Sequence, residues 1–162
     1  MHLEIITIAV LAFASSASAV RSLEPWLINR LATFSPPDRP GSSPWSIVNI
    51  TITDPNDMTA TSTLCATTWT FEEPPYNIVN PCSEVPGGKW TFAMLESEGS
   101  NPSPTTDFRL RFELKKEDEV FAGEESFVVG ENMSGLCSAG GVCSFKLKEE
   151  VVPFPVKQAR IL

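Results

Sequence analysis

The most regular stretch of the chain is Phe108-Arg109-Leu110-Arg111-Phe112-Glu113-Leu114, in which apolar and charged residues alternate strictly. Successive side chains of a β-strand point to opposite faces of the sheet, so this period of two predicts a strand with an apolar inner face and a charged outer face. Residues 116–119 are all charged. They predict a turn into a returning antiparallel strand that begins at Val120.

Shorter stretches on both sides of this hairpin have the same period of two. Apolar and polar residues alternate over 45–53, 90–95 and 143–147, and the Thr-rich stretch 58–71 has the high β-propensity of an exposed strand. A last strand over 151–161 contains two prolines and should therefore lie at a sheet edge or be bulged. The sequence predicts an all-β fold, either a small antiparallel β-barrel or a sandwich.

Proline and glycine are concentrated before the first of these strands, in the run Ser35-Pro36-Pro37-Asp38-Arg39-Pro40-Gly41-Ser42-Ser43-Pro44. Proline lacks an N–H donor and is poorly tolerated in helices and ladders. We therefore predict that residues 20–44 are a flexible, Pro-rich lead outside the fold. A single all-β domain would then span residues 45–162.

The N-terminus has the features of an export signal. An apolar run over 5–13 is followed by small residues that end in Ala17-Ser18-Ala19, which predicts a signal peptide over residues 1–19 and a secreted, extracellular protein. Cleavage would remove His2, the only histidine. The mature chain would then lack the imidazole of Ser-His-Asp and Cys-His catalysis and of the common histidine metal sites.

Composition excludes two classes of partner. No 20-residue apolar run follows the N-terminus, so we predict no membrane span. The formal net charge is −8, which disfavours nucleic acid because its phosphate backbone is also negative. Two tripeptides are N-glycosylation acceptors, Asn49-Ile50-Thr51 and Asn132-Met133-Ser134.

The four cysteines form an even set in a chain with an export signal, so two disulfides are expected. Four cysteines allow three pairings. We favour Cys65–Cys82 and Cys137–Cys143, because each pair brackets its own turn-rich segment. A metal site built from all four thiolates is disfavoured because the sequence has no C-x-x-C spacing.

Several of these features occur together in a known family. The signal peptide is followed in order by Trp45-Ser46-Ile47, Cys65, Pro81-Cys82, Trp90-Thr91-Phe92, the strand 108–114, and the pair Cys137 and Cys143. In spacing and residue type, residues 45–162 resemble the fungal secreted β-barrel family typified by the Alternaria major allergen. The resemblance implies the same two disulfides, and a role as an allergen, an elicitor of plant defence or an effector that binds host proteins. It implies no catalytic residues. The founding member forms a dimer through an N-terminal cysteine, and no cysteine lies between residues 20 and 64 here, so we expect a monomer or a non-covalent dimer.

Carboxylates are the remaining candidates for acid–base chemistry. The three adjacent pairs are Glu72-Glu73, Glu124-Glu125 and Glu149-Glu150. Neighbours on a strand point to opposite faces, whereas a glycosidase needs two carboxyls facing each other across a cleft, so we interpret the pairs as surface charge. The run 54–57 lacks the spacing of a calcium loop and is interpreted as a turn.

The returning strand leaves two possibilities for Glu125. Strict alternation would point it inward opposite Leu110, where an isolated carboxylate would have a raised pKa. We favour the alternative, in which Gly123 marks a bulge or break that frees Glu125 to reach water. On the preceding strand, Arg109 and Arg111 share a face and could meet an acidic partner. The favoured interpretation is a cross-strand ion pair of Arg111 with Glu124.

The four tryptophans are candidates for an aromatic carbohydrate platform. Trp45 and Trp90 head alternating strands and are predicted to lie in the core. Trp26 and Trp69 are the better candidates for exposed aromatic side chains.

These observations predict a non-enzymatic secreted fungal protein that binds a host protein or a small apolar ligand, without a metal or a cofactor. Two alternatives remain, a carboxylate-dependent hydrolase of cell-wall polysaccharide and a structural cell-wall or spore-coat protein. Opposed buried acids in a cleft would favour the hydrolase. An apolar interior pocket would favour a ligand, and a broad exposed apolar patch would favour a protein partner or a coat role.

Overall fold

The structure, a computed structural model, describes residues 22–37 and 39–162, so the predicted signal peptide lies outside the described residues. The strands are β1 (Trp26–Ser35), β2 (Ser46–Thr53), β3 (Ser62–Trp69), β4 (Val79–Pro81), β5 (Lys89–Glu96), β6 (Asp107–Lys116), β7 (Glu119–Val128), β8 (Met133–Cys137), β9 (Cys143–Leu147), β10 (Phe154–Val156) and β11 (Ala159–Arg160). A 3-10 turn at Glu149–Val151 is the helical element of the described ranges, and it is far too short to cross a membrane.

The strands form two antiparallel sheets. The first has the order β3-β2-β1-β9-β8, with β10 also paired to β1, and the second has the order β11-β7-β6-β5-β4. Over the described ranges the sheets are sandwich-like and do not close into a barrel. The predicted all-β fold and both predicted disulfides, Cys65–Cys82 and Cys137–Cys143, are confirmed.

The core lies between the two sheets and follows the predicted alternation. Val48, Ile50 and Ile52 of β2 are completely buried, and so are the apolar residues of β6. Aromatic rings from both sheets meet there: the Trp26 and Trp90 ring centroids are 4.8 Å apart in an edge-on arrangement. Edge-on aromatic pairs stabilise a core by about 0.5–1.5 kcal/mol beyond the area that they bury.

The prediction of a flexible lead is wrong for residues 26–35, which form the central strand β1 between β2 and β9. Trp26, Ile28 and Leu31 are at most 1% exposed. A register shift after Ile28 interrupts the period of two, so the sequence of β1 does not show the strict alternation of apolar and polar residues that predicts a strand. The proline-rich run after Ser35 is the loop that joins β1 to β2.

The predicted last strand is two short strands in different sheets. β10 pairs with the beginning of β1, and β11 pairs with β7. Both lie at the margin of their sheet, as the two prolines predict. Residues 154–160 therefore cross from one sheet to the other and join the two layers.

The predicted bulge at Gly123 is wrong. β6 and β7 keep one register from Lys116 opposite Glu119 to Asp107 opposite Val128, so Leu110 is opposite Glu125. Gly123 is required by the crossing C-terminal segment, because a Cβ there would lie 2.5 Å from the Lys157 carbonyl oxygen. Glu125 is half-buried. It lies beyond the two residues of β7 that pair with β11, so its side chain can reach solvent at the margin of the sheet.

Candidate binding surface

Four exposed apolar side chains lie at one end of the first sheet. This is the end at which Ser46 pairs with Trp69, and at which Cys143 pairs with both Ser35 and Cys137. The exposed residues there are Phe34 (37%), Trp45 (51%), Phe71 (88%) and Leu136 (72%). We call these four residues the apolar end.

The strand register places two members of the apolar end in one row on the outer face of the sheet. Phe34 lies opposite Ile47 on one side and Ser144 on the other, and Ser144 lies opposite Leu136. Phe34 and Leu136 are therefore two strand spacings apart, about 10 Å. No charged residue belongs to this row of the described sheet.

Trp45 and Phe71 lie just outside β2 and β3 at this same end of the sheet. Trp45 directly precedes β2, and Phe71 follows β3 by two residues. The Pro-rich loop leaves the sheet at the same end, directly after Ser35. Large aromatic side chains dominate the binding energy of many protein interfaces, so this end has the composition of a protein-docking surface.

The predicted position of Trp45 is wrong, because this residue, predicted to be in the core, is half-exposed. Trp26 and Trp69, the candidates for an exposed aromatic platform, are only 0% and 5% exposed. Trp90 lies in the core as predicted. An aromatic carbohydrate platform built on Trp26 and Trp69 is therefore excluded.

Acidic residues line a cleft beside β6 and β7, with a volume of about 550 Å³. They are Glu98, Asp107, Glu124, Glu125 and Glu131. Arg109 holds two of them, because its Nη1 atom is 2.8 Å from Glu124 Oε1 and 3.2 Å from Glu98 Oε1. The predicted pair of Arg111 with Glu124 is wrong, since Arg111 instead contacts Glu113 at 2.9 Å. Glu98 is 85% exposed, and its carboxylate and that of Glu124 share the Arg109 guanidinium.

The other two glutamate pairs lie outside this cleft. Glu72 and Glu73 are exposed in the turn after β3, and Glu149 and Glu150 begin the 3-10 turn. Within residues 22–37 and 39–162, no group of three or more His, Cys, Asp or Glu side chains is arranged to hold a metal ion.

Asp54 is the most constrained carboxylate, and the sequence did not single it out. Run 54–57 is a turn, as predicted, and Asp54 accepts hydrogen bonds from Lys116 Nζ at 2.7 Å and from the Asn56 backbone N–H at 3.0 Å. Burial raises the pKa of Asp54, but the hydrogen bonds from Lys116 and Asn56 together outweigh it and leave the pKa below its ordinary value of 3.8. Asp54 and Lys116 are 62 residues apart, so no local pattern could have paired them. This contact links the turn after β2 to the end of β6, and the Asp54 carboxylate is paired with Lys116.

Tyr76 is a second perturbed group that the sequence gave no reason to single out. Burial, together with the negative charges of Glu96 and Asp107, raises its pKa to about 12. Its hydroxyl is buried without a hydrogen-bond partner among the described residues. The phenol is therefore neutral at physiological pH and is a packing residue.

The predicted covalent sites lie in four different places. Cys65–Cys82 joins β3 of the first sheet to the residue that follows β4 of the second, whereas Cys137–Cys143 closes the β8–β9 hairpin. Asn49 lies on the outer face of β2. Asn132 directly precedes β8.

Comparisons with protein-family models, with curated proteins and with solved structures find no match to this chain. The features of the molecule that bear on its function are a disulfide-linked β-sandwich and the apolar end.

Proposed function

We propose that this chain is a secreted, non-enzymatic fungal protein of the effector, elicitor or allergen type, and that it binds a host protein through the apolar end. The observation that carries the proposal is the exposure of Trp45 and Phe71 at the same end of the first sheet as Phe34 and Leu136. Exposed apolar patches on soluble proteins commonly mark interaction sites. The export signal, the two disulfides and the resemblance to the Alternaria allergen family support an extracellular role.

A protein partner fits the molecule better than an enclosed small ligand. The space between the sheets is filled by large buried side chains, among them Trp26, Phe92 and Phe112. The apolar end is an open surface, which suits a partner of similar size that contributes its own apolar residues.

A small apolar ligand is the second candidate. A depression of about 570 Å³ lies beside the Cys65–Cys82 disulfide and is lined in part by Cys82, Val85 and Trp90. This volume is within the range of about 300–1,000 Å³ that is typical of ligand pockets. The hydrolase alternative is less well supported, because Arg109 occupies two of the clustered acids.

Capture from host extract tests the proposal. Immobilised protein carrying Trp45→Ala or Phe71→Ala should lose at least about tenfold in affinity for a captured host protein, since a central aromatic residue commonly contributes more than about 1.4 kcal/mol to binding. Leu64→Ala is the matched control, because Leu64 is 49% exposed but lies toward the other end of β3. It should leave capture unchanged.

Three results would count against a host protein at this surface. Equal loss in the Leu64 control would mean that the apolar end is not the binding site. Loss of a bound apolar probe with Val85→Ala, and not with Trp45→Ala, would favour the small-ligand alternative. Concentration-dependent polymerisation that Trp45→Ala abolishes would favour the coat alternative.

A further inference from the structure

We infer that Asn49 carries an N-linked glycan in the mature protein, that Asn132 stays unmodified, and that the glycan covers the centre of the outer face of the first sheet. The inference rests on the secretion that is part of the proposed function, because N-glycosylation takes place in the secretory pathway. The two acceptor sequences are equivalent as motifs. The fold distinguishes them.

Asn49 is half-buried and has small neighbours on both adjacent strands. Its neighbours along β2, Val48 and Ile50, are completely buried, so the Asn49 side chain points away from the core. Its cross-strand partners are Ala32 on β1 and Ala66 on β3, and neither has a side chain that extends beyond Cβ. No hydrogen bond joins the Asn49 amide group to another described residue, so a sugar on Nδ2 would replace no contact that the fold uses.

Asn132 has the opposite character. Its Oδ1 atom accepts a hydrogen bond from the Val128 backbone N–H at 2.9 Å, and its Nδ2 donates to the Ser126 carbonyl at 2.8 Å. The side chain therefore closes the turn between β7 and β8, and Nδ2 lies against the β7 backbone. A sugar on this nitrogen would crowd that backbone and disturb the turn.

The surroundings of Asn49 also explain what a glycan there would do. Ile47 is the next outward residue of β2 on one side, and Leu64, at 49% exposure, lies opposite Thr51 on the other side. A bulky, hydrated glycan over this area would shield apolar side chains from water and from other chains. Trp45 is four residues from Asn49, about 13 Å along the strand. The glycan is therefore rooted well short of Trp45, although Phe34, which lies opposite Ile47, is nearer to it.

The test is to secrete the full chain from a fungal host and remove N-glycans with peptide N-glycosidase in ¹⁸O-labelled water. This reaction converts each glycosylated Asn into a labelled Asp, and peptide mass spectrometry locates the label. We expect the label at Asn49 and none at Asn132. Label at Asn132, or its absence at Asn49, would overturn the inference.

Two matched variants remove one acceptor hydroxyl each and leave both asparagines in place. Thr51→Ala should secrete a protein that lacks the glycan mass, whereas Ser134→Ala should leave the mass of the glycan unchanged. Both hydroxyls are on accessible side chains without a hydrogen bond to another described residue, so both variants should retain the circular dichroism spectrum of the original protein. Loss of the glycan in Ser134→Ala alone would contradict the assignment.

A separate measurement tests whether the glycan covers the apolar side chains of the sheet. Removal of the glycan should increase binding of a hydrophobic dye such as anilinonaphthalene sulfonate, and unchanged dye binding would refute the covering role. Capture of the host protein should persist after glycan removal. An unmodified protein that still captures its partner would refute only the glycan, and a glycosylated protein that captures nothing would refute only the proposed function.

Discussion

Two tryptophans of this chain provide a direct test of its architecture, because the same substitution should have opposite outcomes at them. Trp26 begins the central strand β1, is 0% exposed and packs edge-on against Trp90. Trp45 precedes β2 and is 51% exposed. We expect Trp26→Ala to destabilise the protein strongly and Trp45→Ala to have little effect on stability.

The expected cost follows from the surroundings of Trp26. Truncating a fully buried Trp to Ala costs about 3–5 kcal/mol in unfolding free energy. The Trp26 indole N–H is buried without a hydrogen-bond partner among the described residues. Trp26→Ala also removes this unsatisfied donor, whose burial costs about 1–3 kcal/mol. We therefore expect the loss in unfolding free energy to lie near the lower limit of the range for buried Trp, about 3 kcal/mol. Small domains have about 5–15 kcal/mol in total, so this loss is a large fraction.

Urea unfolding followed by far-ultraviolet circular dichroism, with the disulfides intact, measures both variants without relying on tryptophan fluorescence. At a slope of about 1–3 kcal/mol per molar urea, Trp26→Ala should lower the midpoint by about 1–3 M. Trp45→Ala should change the unfolding free energy by no more than about 0.5 kcal/mol, as is usual for surface substitutions. Trp26→Phe, which keeps a ring and removes the unpaired donor, should cost less than Trp26→Ala. If Trp26→Ala costs no more than about 0.5 kcal/mol, the burial of Trp26 in the central strand β1 is refuted.

Three further predictions concern contacts between distant segments. Lys116→Met should cost about 1–3 kcal/mol at pH 7, because it removes a charged hydrogen bond to the buried Asp54 carboxylate. The pKa of Asp54 is depressed in the folded state, so this contribution is present above pH ~4 and is lost as the pH falls through the folded pKa; urea midpoints from pH 7 down to pH 2.5 should show it. Gly123→Ala should cost about 1–3 kcal/mol in the same urea assay, because its Cβ would meet a backbone carbonyl at 2.5 Å, whereas Gly140→Ala should be nearly neutral. Cys65→Ser should lower the unfolding free energy by about 2–5 kcal/mol, since it opens the covalent link between the sheets.

Each of these has a result that would contradict it. A Lys116→Met cost that persists unchanged below pH 3 would show that ionised Asp54 is not its cause. Equal costs for the two glycine variants would mean that the C-terminal segment does not cross over Gly123. Cys137→Ser opens a loop of 6 residues rather than 17, and it should therefore cost less than Cys65→Ser; the reverse order would rule out this account.

Local alternation was sufficient to predict the β6–β7 hairpin. Counting outward from the charged turn places Leu110 opposite Glu125, and the structure keeps this register through Gly123, where the sequence favours a bulge. A hairpin is a local structure, and its register is set by the turn and by the requirement that one face be apolar. The disulfides were predictable for a similar reason, because each closes a short segment.

The central strand of the first sheet could not be predicted in this way. β1 pairs with β2, β9 and β10, and the partners on β9 and β10 are more than 100 residues away in sequence. The buried residues of β1 are Trp26, Ile28, Leu31 and Thr33. The inward-facing positions therefore change from even to odd numbers between Ile28 and Leu31. A bulge of this kind shifts the phase of a strand by one residue, and strict alternation then fails as a signal. The adjacent proline run made the segment resemble a linker, although the prolines begin only after the strand has ended.

The apolar end could have been recognised by applying the period of two more strictly. Val48, Ile50 and Ile52 are the inward residues of β2, so the even positions face the core and position 45 faces solvent. On β3, Cys65 is buried in its disulfide. The same count then places Trp69, four residues later, inside. The place of Trp45 at the head of an alternating strand suggested burial, and Trp69 was a candidate for exposure, whereas the strand phase gives the reverse and agrees with the structure. Each strand of a sandwich has one face toward the core and one toward solvent. Whether an aromatic residue can contact a partner therefore depends more on which face its position occupies than on its hydrophobicity.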